Sequence, residues 1–396
     1  MSVPRLLSRL VSALIVLLVS GSAVCEQPAA IRIGGTLSFS GRFQEPAMMM
    51  RDGYRLWAQQ VNERGGLLGR PVRLIIRDDR SDPDIARRHY RQLIHDEQVD
   101  LVFSPYGTPL TLATSEVTEE AGLVMLASAA SGGILWDRGH RFLFGMYALA
   151  DRYFIGLLDL MARQGLDTVS ILYEDSPFHR DAVAGARHWA KRFGMTPIFI
   201  KSFPPGSREH VQLLEDALRE RADGLILSVY PPDGYLILDL LQSKPWRPAV
   251  LGMTIAPLHP AFHETAGPIA EGVFGPSQWE PDERIPFPGT MGFINDFERS
   301  FQKLPSYHAG AAFAACQIFE RVITEVGALD HDVIRDRISS LDAVTVIGRF
   351  KVDHLGRQVG HNPILVQWQQ GKKEIVYPAK MRTALPRFDV SRETGP

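Results

Sequence analysis

Three short segments combine hydroxyls with glycine or other small residues: Ser38-Phe39-Ser40-Gly41-Arg42-Phe43, Pro105-Tyr106-Gly107-Thr108 and Ser128-Ala129-Ala130-Ser131-Gly132. Hydroxyls both donate and accept hydrogen bonds, and glycine lets backbone N–H groups come close to an anionic or polar ligand. Any one segment is explained as a turn, because Ser, Gly and Pro make turns for their own reasons. Three of them, each after an apolar run, argue for one sheet edge at which a small molecule sits.

Other constellations carry less chemistry. His259 and His263 have the spacing of metal ligands on a helix, but Pro260 lies between them and no third ligand is near in sequence. Asp78, Asp79, Asp82 and Asp84 lack the glycine and distal Glu of a calcium loop, and helix capping accounts for two of them. No phosphate loop, dinucleotide fingerprint or Gly-x-Ser-x-Gly elbow is present. The expectation is a protein without metal or cofactor that is not an enzyme. Cys316 falls among Ala and Phe at helical spacing and reads as a buried core residue.

The elements that must position the loops alternate regularly. Ile31–Leu37 reads as a strand, Met50, Tyr54, Trp57, Ala58 and Val61 recur at helical spacing until Gly65-Gly66, and Val72–Ile76 is a second strand. Asp82 and Pro83 are placed as N-cap and first residue of the next helix. Strand-like runs follow at 101–104, 123–127 and 142–145, with a helix over 109–121. A second series has strands at 169–174, 197–203, 225–229, 250–253 and 272–274, and helices at 152–164, 180–193, 209–221 and 234–242. Such alternation predicts α/β lobes with parallel sheets and helices on both faces. Residues 287–340 read as mostly helical and 347–377 as strand-like with a turn at Gln370-Gly371-Lys372.

A chain of 396 residues suffices for two cores, and a net charge of −2 with 22% charged residues gives no basic face for nucleic acid. Arg5 and Arg9, an apolar run from Leu10 to Val19 and small residues over 20–23 have the layout of an export signal, expected to occupy residues 1–25 and to deliver the chain to the periplasm. Val24 is a poor residue before a lipidated cysteine, which disfavours an anchor at Cys25.

Asn62-Glu63-Arg64-Gly65-Gly66-Leu67-Leu68-Gly69-Arg70-Pro71, followed by a strand and Asp78-Asp79-Arg80-Ser81-Asp82-Pro83, resembles the signature of the leucine/isoleucine/valine-binding family of periplasmic type I solute-binding proteins. Weaker similarity runs through 169–174, 222–229, 344–350 and 366–368. The resemblance implies two Rossmann-like lobes joined by a three-strand hinge crossing near 146–149, 276–279 and 348–351. Lobe one is then 31–147 plus 278–348 and lobe two 148–277 plus 349–381, with 386–396 a loose tail. It also implies a monomer that hands a small amino acid, or a related carboxylate or amide, to the membrane subunits of an ABC importer.

By the same resemblance, Gly107 and Thr108 match the loop that binds a ligand carboxylate, and Ala129, Ala130 and Ser131 the loop that supplies a carbonyl and a hydroxyl. Ser38, Phe43 and Tyr106 lie in the adjoining loops. Phe178 falls where a Tyr often covers the ligand, and Tyr230 matches another pocket aromatic. Thr254 falls where amino-acid binders often carry a Glu that pairs with the α-ammonium. Either Asp175, Asp233 or another acid replaces that Glu, or the ligand has no ammonium, because a buried unpaired ammonium is costly. Alternative readings are a periplasmic ligand sensor for a separate membrane receptor and an α/β hydrolase. The second lacks any recognisable nucleophile–base pair.

Overall fold

The computed structural model describes residues 29–285 and 287–388. The expected export segment with Cys25, and tail residues 389–396, lie outside them. Lobe one is built on β1 (Ile31–Leu37), β2 (Val72–Asp78) and β3 (Leu101–Val102), in the order β2-β1-β3, continued by the parallel pair β4 (Met125–Ala127) and β5 (Leu143–Gly145). In lobe two, β6 (Thr168–Glu174), β7 (Thr196–Phe203), β8 (Gly224–Ser228), β9 (Val250–Met253) and β10 (Phe274–Ser277) form a parallel sheet. A short antiparallel pair, β11 (Asp342–Thr345) and β12 (Gly348–Lys351), precedes β13 (Ile364–Gln369) and β14 (Lys372–Tyr377). Strand β13 adds antiparallel to β10 and β14 antiparallel to β13, giving the order β14-β13-β10-β9-β8-β6-β7. Strands β8 and β13 are buried along their whole length, as expected of strands covered on both faces.

The helices are α1 (Gln44–Glu63), α2 (Pro83–Arg91), α3 (Gly107–Glu120), α4 (Ile155–Arg163), α5 (Pro177–Arg192), α6 (Glu209–Arg219), α7 (Pro231–Gln242), α8 (Phe262–Ala266), α9 (Thr290–Phe301), α10 (Tyr307–Val326) and α11 (His331–Ser339). The Asp82 carboxylate accepts from the Asp84 and Ile85 N–H groups at 2.7 and 2.9 Å, capping α2 as its sequence predicts. Helices α1 and α10 cross closely at Gly53, where an added Cβ would stand 2.3 Å from the Ala309 carbonyl oxygen. Only glycine permits that approach.

Several helices begin earlier than the apolar pattern predicts: α5 at Pro177 and α7 at Pro231. Proline, lacking an N–H, fits the first turn, where helical N–H groups have no partner, so the polar start belongs to the helix. Strand β10 lies later than expected because Gly275-Pro276 reads as a turn, yet Gly275 pairs with Val366 and Pro276 with Leu365. The tertiary sheet overrides local turn preference there.

At the hinge, the Gln278 side chain ties the crossings together. It accepts from the Ala148 N–H at 3.0 Å, donates to the Ala148 carbonyl at 3.3 Å, and lies 3.2 Å from His361 Nε2. Gln358 donates to the Met146 carbonyl at 3.4 Å. Residues 386–388, assigned to a loose tail, are held: the Arg387 N–H donates to Gln367 Oε1 at 2.9 Å, and the Phe388 ring stands 5.9 Å from that of Phe274.

Candidate functional site

The loops at the carboxyl ends of the strands meet between the lobes. Lobe one contributes Tyr106, Gly107, Thr108, Ala129 and Ser131 to a small cavity there, and lobe two contributes Phe178 and Tyr230. The cavity also takes in Tyr147, Tyr153, Ile255, Tyr307 and His308, which the sequence reading did not single out. It spans about 250 Å³ counting open solvent, with room for about one water, so a ligand enters only if lobes or side chains move apart.

The polar groups come mainly from the N-terminus of α3 and the next loop. Thr108 Oγ1 accepts from the Gly132 N–H at 3.1 Å, and Ser131 Oγ lies 3.1 Å from the Tyr153 hydroxyl. The Gly107 N–H already donates to the Ala129 carbonyl at 3.1 Å, so these two backbone groups hold the loops together rather than standing free. A lone polar atom remains in the wall: the buried Tyr147 hydroxyl has no hydrogen-bond partner among the described residues. A buried polar group without a partner costs free energy, which a hydrogen-bonding ligand would recover.

Formal charge is absent from the lining. Burial pushes the Tyr106, Tyr147, Tyr230 and Tyr307 hydroxyls above their ordinary range and Tyr153 up to about 12. Burial, with His259 and Lys373 nearby, holds His308 well below the ordinary histidine value and therefore neutral. Among the described residues, no carboxylate lines the cavity. Ile255 adds an apolar wall from a backbone with φ of 63°, a left-handed conformation costly for a β-branched residue.

The expected acids have other partners. Asp175 is partly exposed and accepts from Arg180 Nε at 2.6 Å. Asp233 is buried, accepts from the Gly206 N–H at 3.2 Å and lies 3.4 Å from Arg42. Arg42, from the first loop of lobe one, also makes a short ion pair with Glu174 at the end of β6, and its guanidinium stands 5.3 Å from the Tyr230 ring centre. Desolvation raises the Glu174 carboxyl to about 7, against the pull of Arg42. Arg42 is thus a bridge between lobes, which residue type alone did not reveal. Two further bridges are the Tyr235 hydroxyl on Glu45 at 3.5 Å and the Gly133 N–H on Asp181 at 2.7 Å.

Four expected site residues lie outside the lining. Ser38 donates to Asp79 at 2.5 Å, and Ala130 packs into the flank of lobe one with Trp136 and Leu143. The Phe43 ring stands 4.7 Å from Tyr230 and 5.6 Å from Tyr106, behind them. Thr254 has its hydroxyl engaged on both sides, donating to the Val229 carbonyl at 2.8 Å and accepting from the Val229 N–H at 2.9 Å. It clamps the end of β8, and its neighbour Ile255 reaches the cavity instead. Sequence could have pointed to Tyr307-His308, an aromatic pair opening a helix after Pro305-Ser306. Tyr147 and Tyr153 carry no such mark.

Two hinged α/β lobes with a cavity between their facing loops define a binding protein of the clamshell type. The chain belongs to the periplasmic binding protein family, whose profile matches residues 30–373. It is 22% identical to Leu/Ile/Val-binding protein homolog 7 of Brucella suis, over 91% of this chain and 94% of that one. Among solved structures it is similar to a branched-chain amino acid transporter substrate-binding protein from Streptococcus pneumoniae in complex with isoleucine (TM-score 0.78, 17% identity, 88% and 100% of the two chains covered). It is also similar to an ABC transporter solute-binding protein from R. palustris in complex with benzoate (TM-score 0.76, 18% identity, 88% and 96% covered).

Proposed function

We propose that this protein is the periplasmic capture component of an ABC importer and that its cleft takes a small carboxylate or amide without an α-ammonium group. The family and the similarity to solute-binding proteins of importers support the first part. The observation that carries the second is the uncharged lining: an ammonium would meet neutral tyrosines and a neutral histidine, while Glu174 and Asp233 lie outside the lining, each with an oxygen at Arg42. A carboxylate meets the N-terminus of α3, where the helix dipole favours negative charge although the Gly107 N–H is engaged and Pro109 has none. The aromatic side chains cover its apolar part.

This reading divides the chain at 147/148, 277/278 and 348/349, with the hinge between. The segment with export layout accounts for the compartment, and among the described residues no helix is long and apolar enough to cross a membrane. Tyr106, Gly107, Thr108, Ala129, Ser131, Phe178 and Tyr230 are assigned to ligand contact, together with Tyr147, Tyr153, Ile255, Tyr307 and His308.

Calorimetric titration of the folded protein with leucine, isovalerate, benzoate and the matching amides tests the reading. At least one deaminated compound should bind as well as leucine does. Micromolar leucine binding with no response to any deaminated compound overturns it.

A further inference from the structure

A second, larger cavity lies against the hinge and shares no lining residue with the cleft. It encloses about 1540 Å³, counting the solvent in its mouth. One wall comes from lobe one, with Trp279, Phe287 and Ile347. The other comes from lobe two, with Ile155, Trp189 and Tyr377, and the floor is hinge chain around His361. Arg152 and Lys380 stand at this apolar, aromatic space, and no carboxylate lines it among the described residues. Asp159, close to Tyr377, is paired with Arg163 at 3.0 Å.

We propose that this cavity is an effector site for a small aromatic monocarboxylate, distinct from the cleft, and that its occupant favours the closed arrangement of the lobes. Aromatic walls provide apolar burial and stacking for a ring. Two cations that form no ion pair among the described residues favour an anion, Lys380 being exposed and Arg152 oriented by a 3.1 Å hydrogen bond to Asn362. Because both lobes form the walls, the width of the cavity depends on the angle between them. A molecule that binds this width better than an opened one shifts the lobes toward closure by its differential affinity, and reciprocally binds more tightly when they are closed.

The probe for the test is 1-naphthoate, titrated into the mature chain with tryptophan fluorescence as readout, since Trp189 and Trp279 both line the cavity. Saturable quenching is expected. Lys380→Glu, an exposed position whose change leaves the core intact, should weaken naphthoate at least fivefold. Thr108→Ala, which removes a cleft contact without adding bulk that would hold the lobes apart, should leave it within twofold. Arg42→Ala removes the principal bridge holding the lobes together and should weaken naphthoate at least threefold. Should that variant fail to fold, Tyr235→Phe, which loses only the hydrogen bond to Glu45, should weaken it in the same direction. Absence of saturable quenching, or binding weakened severalfold by Thr108→Ala and untouched by Lys380→Glu, overturns the site. Unchanged affinity in the bridge variant overturns the coupling to closure.

Discussion

The two walls of the cleft are made of different materials. Lobe one presents short-range polar chemistry, the N-terminus of α3, Thr108 and Ser131, on loops already tied to one another, beside the rings of Tyr106, Tyr147, Tyr307 and His308, whereas lobe two has no such polar loop. Lobe two presents rings, Phe178 and Tyr230, backed by His179 and by the acids Glu174 and Asp233, which Arg42 of lobe one engages. The difference separates two tasks. On the proposed function, lobe one sets which polar end a ligand must have, and lobe two sets how favourably the lobes shut over it.

The severest challenge to this contrast is Tyr230→Ala. The ring touches Phe43, Phe178 and His179 and is almost fully buried, so its loss should lower stability by about 3–5 kcal/mol, read by urea denaturation. A cost below about 1 kcal/mol would show that lobe two is not built around it. Next comes Arg42→Ala. It strips Glu174 of its cation and should disfavour closure by about 2 kcal/mol, less than for a fully buried pair because the Arg42 side chain is 24% exposed. Small-angle scattering should show a larger radius of gyration, and an unchanged profile would deny the bridge its role.

Thr108→Ala and Ser131→Ala should each weaken ligand binding by about 1–3 kcal/mol by calorimetry, with Thr108→Ser retaining affinity. Thr108→Ala also unpairs the Gly132 N–H, so a matching loss of stability with unchanged affinity would make Thr108 a loop strut rather than a ligand contact.

A smaller effect concerns pH. Burial raises Glu174 and Glu45 from 4.5 to about 7, so the folded, closed form holds protons that the unfolded chain has lost. The contribution of these groups is therefore most favourable below about pH 4.5 and declines as pH rises toward 7. Stability measured from pH 5 to 7.5 should fall through this term, and Glu45→Gln should flatten the slope. A slope of opposite sign that is insensitive to Glu45→Gln would contradict the burial of these carboxyls. Least of all, Asp175→Asn should leave ligand affinity within twofold, because this partly exposed acid faces Arg180 and not the cleft.

The alternation of strands and helices, the capping of α2 by Asp82 and the hydroxyl-rich loops after β1, β3 and β4 are all readable in the chain, because period, capping and turn chemistry act within a few residues. Tyr106, Gly107, Thr108, Ala129 and Ser131 were reachable for that reason: each follows directly from the end of a strand. Tyr147, Tyr153, Tyr307 and His308 were not, since what unites them is a shared cavity formed by residues up to 161 positions apart.

By itself, the sequence determined the α/β class, the two series of elements and the loops on which a ligand could be held. Tertiary structure alone decided which polar groups remain available. Thr254, at the position expected to meet an ammonium, spends its hydroxyl on Val229, and Asp233 is engaged by Arg42 from 191 positions away. Asp175, one residue from the buried Glu174, points to solvent and Arg180. The physical reason is that a short polar side chain is defined by its hydrogen-bond partners, and in a buried site those partners come from distant parts of the chain.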